Sequence, residues 1–145
     1  MATVQSILSR KGSEVGTVGE TQTVLEAAKQ MNTRRVGCLV VVRDGLVTGI
    51  FTERDILTRI VAVGRDPGKT TVAEVMTSPV ACCRPETTLD EITAAITQKR
   101  IRHLPVVCDN VLCGIVTSGD VLALQVKEHQ DTIEYLSEYL YAPRR

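Results

Sequence analysis

Apolar positions along the chain follow two alternating periods. Val24, Ala27, Ala28 and Met31 recur at the spacing of a helix buried on one face, as do Leu89, Ile92 and Ile96. Each run is preceded by a Thr-x-x-Glu box, Thr23 to Glu26 and Thr88 to Glu91, the pattern that satisfies free backbone N–H groups at a helix start. Two β-branched runs follow the first helix, Cys38 to Val42 and Leu46 to Phe51. Between them Asp44-Gly45 predicts a tight hairpin, and Asp109-Asn110 stands at the matching place further on. Second helices are predicted to start at Thr52 and Thr117 and to run through Ile56, Leu57 and Ile60, or Val121, Leu122 and Leu124. Short strands at Val15 to Thr17 and Val80 to Cys82 precede the first helix of each half. Short helices at Val4 to Ser9 and after Thr71 open the two halves.

The halves are copies of each other. Gly49-Ile50-Phe51-Thr52-Glu53-Arg54-Asp55 aligns with Gly114-Ile115-Val116-Thr117-Ser118-Gly119-Asp120, and the same 65-residue offset pairs Glu26 with Glu91, Arg35 with Arg100 and Asp44 with Asp109. One register held without a gap marks a tandem duplication. The expected class is α/β (α+β), two β-α-β-β-α repeats packed sheet to sheet about an approximate two-fold axis. A unit of this size buries only about 60% of its unfolded surface and is marginal alone. The boundaries read as 1–66 for the first repeat, 67–128 for the second and 129–145 for a C-terminal helix and tail. Gly64-Arg65-Asp66-Pro67-Gly68 is the linker. With Lys69-Thr70 it nearly spells a phosphate-binding loop, but it has one residue too few between the glycines and follows a helix, so the cradle is not expected.

Composition narrows the function. Seventeen basic residues balance seventeen acidic ones, and there are three Tyr, one Phe and no Trp. Neither a phosphate-neutralising excess nor a base-stacking platform is present, so nucleic acid is not an expected partner. No apolar run approaches the roughly 18 residues of a membrane span. The first residues lack a secretory signal, so the expected address is the cytoplasm. The five cysteines, Cys38, Cys82, Cys83, Cys108 and Cys113, form no Cys-x-x-Cys pair. They are expected to be reduced thiols, without a zinc site. Only His103 and His129 could act as general bases near neutral pH, and neither has a nucleophile or metal partner by spacing. No enzymatic activity and no catalytic cofactor are expected.

The doubled Gly-hydrophobic-x-Thr/Ser-x-x-Asp signature, each copy after a hairpin, resembles the cystathionine-β-synthase (CBS) domain, here in tandem from about Thr3 to Glu128. Lys99-Arg100-Ile101-Arg102-His103-Leu104-Pro105-Val106-Val107 resembles the family's basic approach to its second strand. The resemblance implies two clefts between the repeats that hold adenine nucleotides, AMP first and NAD(H) as a further candidate, and a regulatory output to a separate, unidentified protein. It also implies a homodimer.

The residue types suit those contacts. Asp55 and Asp120 can each accept two hydrogen bonds from a ribose diol, with the Thr52 and Thr117 hydroxyls one helical turn earlier. The helix starts favour phosphate. Arg54 adds charge at the first mouth, Ser118 lies at the second, and Gly119 leaves that mouth open, so the clefts are expected to differ. By the resemblance, Arg100, Arg102 and His103, with Arg35 at the matching place in the first copy, would reach phosphates. Val15, Thr17, Val80 and Cys82 would line the adenine face. The signature has a purely structural reading too, because Thr-x-x-Asp is an N-terminal cap. Two alternative functions stay open: a thiol redox protein using Cys38, Cys82 or Cys83, and a structural dimerisation module. Ile133, Leu136 and Leu140, with Tyr135 and Tyr139, form an apolar stripe in the tail that favours association.

Overall fold

The computed structural model describes residues 2–128, so the tail beyond Glu128, with His129 and the Tyr135–Tyr139 stripe, lies outside the described residues. In chain order the elements are α1 (Val4–Lys11), β1 (Thr17–Gly19), α2 (Val24–Arg34), β2 (Cys38–Arg43), β3 (Leu46–Thr52) and α3 (Glu53–Ile56), which continues as a π-helical turn over Leu57–Val61. The second copy follows with α4 (Val72–Val75), α5 (Leu89–Lys99), β4 (His103–Cys108), β5 (Val111–Thr117) and α6 (Ser118–Glu128).

Local chemistry sets most of these boundaries. The Thr23 hydroxyl accepts from the Glu26 amide and the Thr88 hydroxyl from the Glu91 amide, at 3.1 and 3.2 Å. Both hairpins turn on two residues with positive φ, Asp44 (52°) and Gly45 (78°), then Asp109 (51°) and Asn110 (65°), which is the backbone twist a two-residue hairpin needs. The offset also holds in pairing. Cys38 faces Thr52 and His103 faces Thr117 at the strand ends, and a register shift falls after Val41 in one ladder and after Val106 in the other.

The copies differ at their first strand. β1 pairs parallel with β2 to make a three-stranded sheet, but β4 and β5 form a two-stranded one. The strand expected at Val80 to Cys82 is reduced to a single parallel bridge from Cys83 to Val106. Pro105 explains this. Its counterpart Val40 donates its N–H to the Gly16 carbonyl at 3.0 Å, and proline has no N–H to give.

Each opening helix docks on the other copy. Val4, Ile7 and Leu8 of α1 pack with Ile92, Leu104, Val106, Val116 and Val121, whereas Val72 and Val75 of α4 pack with Val18, Val24, Leu39, Val41 and Phe51. Backbone bonds fasten the exchange symmetrically: Val4 N to Thr87 O at 2.9 Å and Leu89 N to Ala2 O at 3.0 Å, against Val72 N to Gln22 O at 2.8 Å and Val24 N to Thr70 O at 2.9 Å. Neither core is complete without the other copy's helix. The signature glycines make room for the crossing chains. A Cβ on Gly49 would lie 2.7 Å from Met76 Sδ and 2.9 Å from the Thr77 carbonyl, and one on Gly114 would lie 2.7 Å from Leu8 Cδ2. The segment around Gly64 to Lys69 is a turn in which Asp66 Oδ1 accepts from the Gly68 amide at 2.8 Å.

Candidate functional site: a cleft between the repeats

A cleft of about 560 Å³ opens between the copies, a size suited to a small organic ligand. The first copy lines it with Val15 and Gly16 before β1, Arg34 at the end of α2, and Val36, Gly37 and Cys38 leading into β2. The second copy contributes His103, Ile115 and Thr117, and the exchanged helix contributes Lys11. Gly16 is small by necessity, since a Cβ there would lie 2.8 Å from Leu39 Cδ2.

At one end stands the second signature. Asp120 caps α6, its Oδ2 accepting from the Thr117 amide at 2.9 Å while the Thr117 hydroxyl accepts from the Asp120 amide at 3.1 Å. The same Oδ2 receives Lys11 Nζ at 2.7 Å, and Lys11 also donates to the Ile115 carbonyl at 3.0 Å. The Asp120 side chain is 22% exposed.

The first signature is closed by comparison. Asp55 Oδ2 accepts from the Thr52 amide and hydroxyl at 2.9 and 3.2 Å, and its Oδ1 accepts from the Thr77 hydroxyl at 3.1 Å with Arg59 Nε 3.7 Å away. Its side chain is only 6% exposed. Arg59 also donates to the Val75 and Met76 carbonyls, holding the end of α4 over this carboxylate. The lengths of the exchanged helices explain the contrast. α4 ends at Val75 and the chain after it brings Thr77 to Asp55, whereas α1 runs on to Lys11, which reaches Asp120; Arg59 is matched by Leu124, so no guanidinium stands at that place in the second copy.

The remaining sequence candidates divide. Val15, Thr117 and His103 line the cleft, with Asp120 at its edge through Lys11. Thr52 and Asp55 are joined in the other signature. Arg54, Arg35, Arg100, Arg102, Thr17 and Cys82 are exposed, Ser118 and Val80 are partly exposed, and none of the eight lines the cleft. Arg35 and Arg100 instead end α2 and α5 in the left-handed conformation, with φ of 54° and 51°. The Ser118 amide donates to the Arg102 carbonyl at 2.9 Å, a backbone tie at the start of α6. Lys11 and Gly16 are lining residues that the motif pattern did not flag, and no local spacing sets Lys11 against Asp120, 109 residues further on.

Burial lowers the His103 pKa from its ordinary 6.5. Glu53 and Asp120 work against that shift, while Arg102 and Lys11 reinforce it. Burial likewise pushes the Cys38 thiol up to about 12, with Lys11 opposing and Glu53 adding to the rise, and it pushes Cys83 up to about 12. These thiols carry little thiolate at neutral pH, which is the reverse of an activated cysteine. All five cysteines are free. Among the described residues no group of three or more His, Cys, Asp or Glu could hold a metal ion, and no helix is long and apolar enough to cross a membrane.

Comparison with known proteins agrees with this architecture. The CBS domain family model matches residues 4–62 and 72–127. The chain is 38% identical over 123 residues to the CBS domain-containing protein YhcV of Bacillus subtilis, covering 85% of this chain and 87% of that protein. It is also 38% identical over 123 residues to the mitochondrial CBSX3 of Arabidopsis thaliana, covering 81% and 60%. The crystal structure of the CBS-domain protein ATU1752 from Agrobacterium tumefaciens superimposes with a TM-score of 0.81 at 36% identity, covering 86% of this chain and 99% of that one. A hexameric CBS-CP12 protein from bloom-forming cyanobacteria superimposes at 0.75 and 28% identity, covering 100% and 78%. An exchanged-helix tandem of this kind, with its cleft between the copies, is a CBS-domain pair, generally a regulatory module. The chain belongs to the CBS domain family.

Proposed function

We propose that the protein is a sensor that binds an adenine nucleotide in the cleft between its repeats and signals to a separate protein. One observation carries this reading. A cleft built by both copies has the capped carboxylate of Asp120 at its edge through Lys11 and Thr117, and among the described residues the second oxygen of Asp120 has no partner comparable to Thr77 on Asp55. A ribose diol donating to that carboxylate would bridge elements of both copies, so ligand binding would bias how they pack. At one hundred times its dissociation constant a ligand adds about 2.7 kcal/mol to the bound arrangement. AMP is the first candidate, with ADP, ATP and NAD(H) as the others. The reading includes no chemical step. Calorimetric titration with AMP, ADP, ATP and NADH tests it: heat and a raised melting temperature with at least one support it, and neither signal with any of them rejects it.

The same reading includes a symmetric homodimer. Leu57 and Leu122 occupy equivalent positions on the two second helices, and both are 60% exposed. A second copy is the occupant that would match this doubled apolar face. Mass in solution checks it: a dimer that Leu57→Asp with Leu122→Asp converts to monomer supports the interface, and a wild-type monomer rejects it.

A further inference from the structure

The two signature carboxylates differ in what holds them, and that difference has a functional reading that rests on the nucleotide assignment above. We propose that the protein has one nucleotide site per chain, at Asp120, and that Lys11 makes this site selective for a phosphorylated nucleoside over the nucleoside itself. At Asp55 both carboxylate oxygens are engaged, by Thr52 on one side and by Thr77 and Arg59 on the other, with the carboxylate buried beneath the end of α4. A ribose could reach it only by breaking those bonds and lifting the segment that Arg59 ties down. At Asp120 the Thr117 amide and Lys11 share one oxygen, and the lysine side chain is 30% exposed.

Lys11 also stands between two spaces. It lines the large cleft, and it lines a second cavity of about 200 Å³ together with Arg10 and Asp120. A ribose diol that takes Oδ2 of Asp120 as well as its second oxygen competes with the ammonium for the carboxylate without neutralising it. Lys11, beside Arg10, then loses its short contact to Asp120 and is available to a second anion. A ligand phosphate restores the lost ion pair, whereas a nucleoside leaves Lys11 unpaired. In the other copy the exchanged helix ends at Val75 without a lysine, and Asp55 is held by Thr77 and Arg59 instead.

The experiment is calorimetric titration of the full chain with AMP and with adenosine, on the wild type, Lys11→Met and Lys11→Arg, each checked for an unchanged melting profile. The expected result is one AMP per chain, with adenosine weaker by about tenfold or more, the worth of a charge-assisted contact. Lys11→Met should erase the preference for AMP, and Lys11→Arg should keep it. Two AMP per chain, or a Lys11→Met protein that still prefers AMP, overturns the proposal while leaving the nucleotide reading intact. Should neither AMP nor adenosine bind, this proposal fails, and the titrations with ADP, ATP and NADH decide the nucleotide reading separately. The stoichiometry needs no variant, so it decides even if Lys11→Met does not fold.

Discussion

Lys11 and Asp120 lie 109 residues apart and meet at 2.7 Å. The pair joins the last turn of α1 to the first turn of α6, and it exists because α1 crosses to the second copy's core. In the other copy the exchanged helix α4 stops at Val75, and the Asp55 carboxylate turns to Thr77 and Arg59 instead. One ancestral arrangement has become an accessible carboxylate on one side and a sealed one on the other.

That asymmetry predicts unequal costs of removal. Asp55→Ala strips a helix cap and leaves the Thr77 hydroxyl and Arg59 without their buried acceptor, so it should destabilise by about 2–3 kcal/mol. Asp120→Ala loses a cap and a partly exposed ion pair and should cost about 1 kcal/mol. Urea denaturation measures both, and equal costs would contradict the structural difference.

The signature glycines should respond differently as well. In Gly49→Ala the new methyl meets the Thr77 carbonyl at 2.9 Å, a backbone atom that cannot swing away, in addition to Met76 Sδ. In Gly114→Ala it meets only the tip of Leu8, which can change rotamer. We expect about 2–3 kcal/mol lost for Gly49→Ala and about 1 kcal/mol for Gly114→Ala, read from denaturation midpoints.

Arg35 and Arg100 end their helices at positive φ, a conformation that costs a residue with a Cβ about 1 kcal/mol. Arg35→Gly and Arg100→Gly should each stabilise the fold by about 0.5–1 kcal/mol after the extra chain entropy of glycine is counted. A lowered melting temperature in either variant would show that the arginine side chain holds something the backbone argument omits.

His103 carries a pH dependence whose sign follows from its burial. Its folded pKa lies below the ordinary 6.5, so the unfolded chain binds the proton more readily. The stability that depends on a neutral His103 is therefore complete above about pH 6.5 and declines as pH falls from there towards the lowered folded value. His103→Gln should flatten that part of the profile relative to wild type. Parallel profiles of wild type and variant between pH 7 and 5 would show that the imidazole is not the group responsible.

Thiol labelling should separate the cysteines by position. Cys38 and Cys83 are buried with pKa values pushed up to about 12, whereas Cys82 and Cys108 are exposed. In native protein at pH 8, labelling should be fast at Cys82 and Cys108 and slow at Cys38 and Cys83. Rapid labelling of Cys38 would revive a redox role for the cleft.

Much of this was legible in the chain itself. The capping residues and the positive-φ hairpins are decided by atoms a few residues apart, and the repeat is visible as a periodicity. The shortened first strand of the second copy is different: its own apolar pattern reads as a strand, and the cause lies across the sheet in Pro105, which lacks the N–H that Val40 gives to Gly16. The candidate site was half legible. The signature and the resemblance point to Thr117, Asp120, Val15 and His103, but the same resemblance points to the exposed arginines, and neither it nor their charge says which way a loop faces.

The amino-acid pattern alone establishes two copies, their helix starts and turns, and two equivalent carboxylates. It sets Arg54 beside one and Gly119 beside the other, but it does not say what covers either carboxylate, because Val4-Ile7-Leu8 and Val72-Val75 offer the same apolar face to either core. Only once the chain is folded does each helix lie against the opposite repeat, bringing Lys11 to Asp120 and Arg59 to the end of α4. Burial of an apolar face is non-directional, so the partner is chosen by the whole packing and not by the segment.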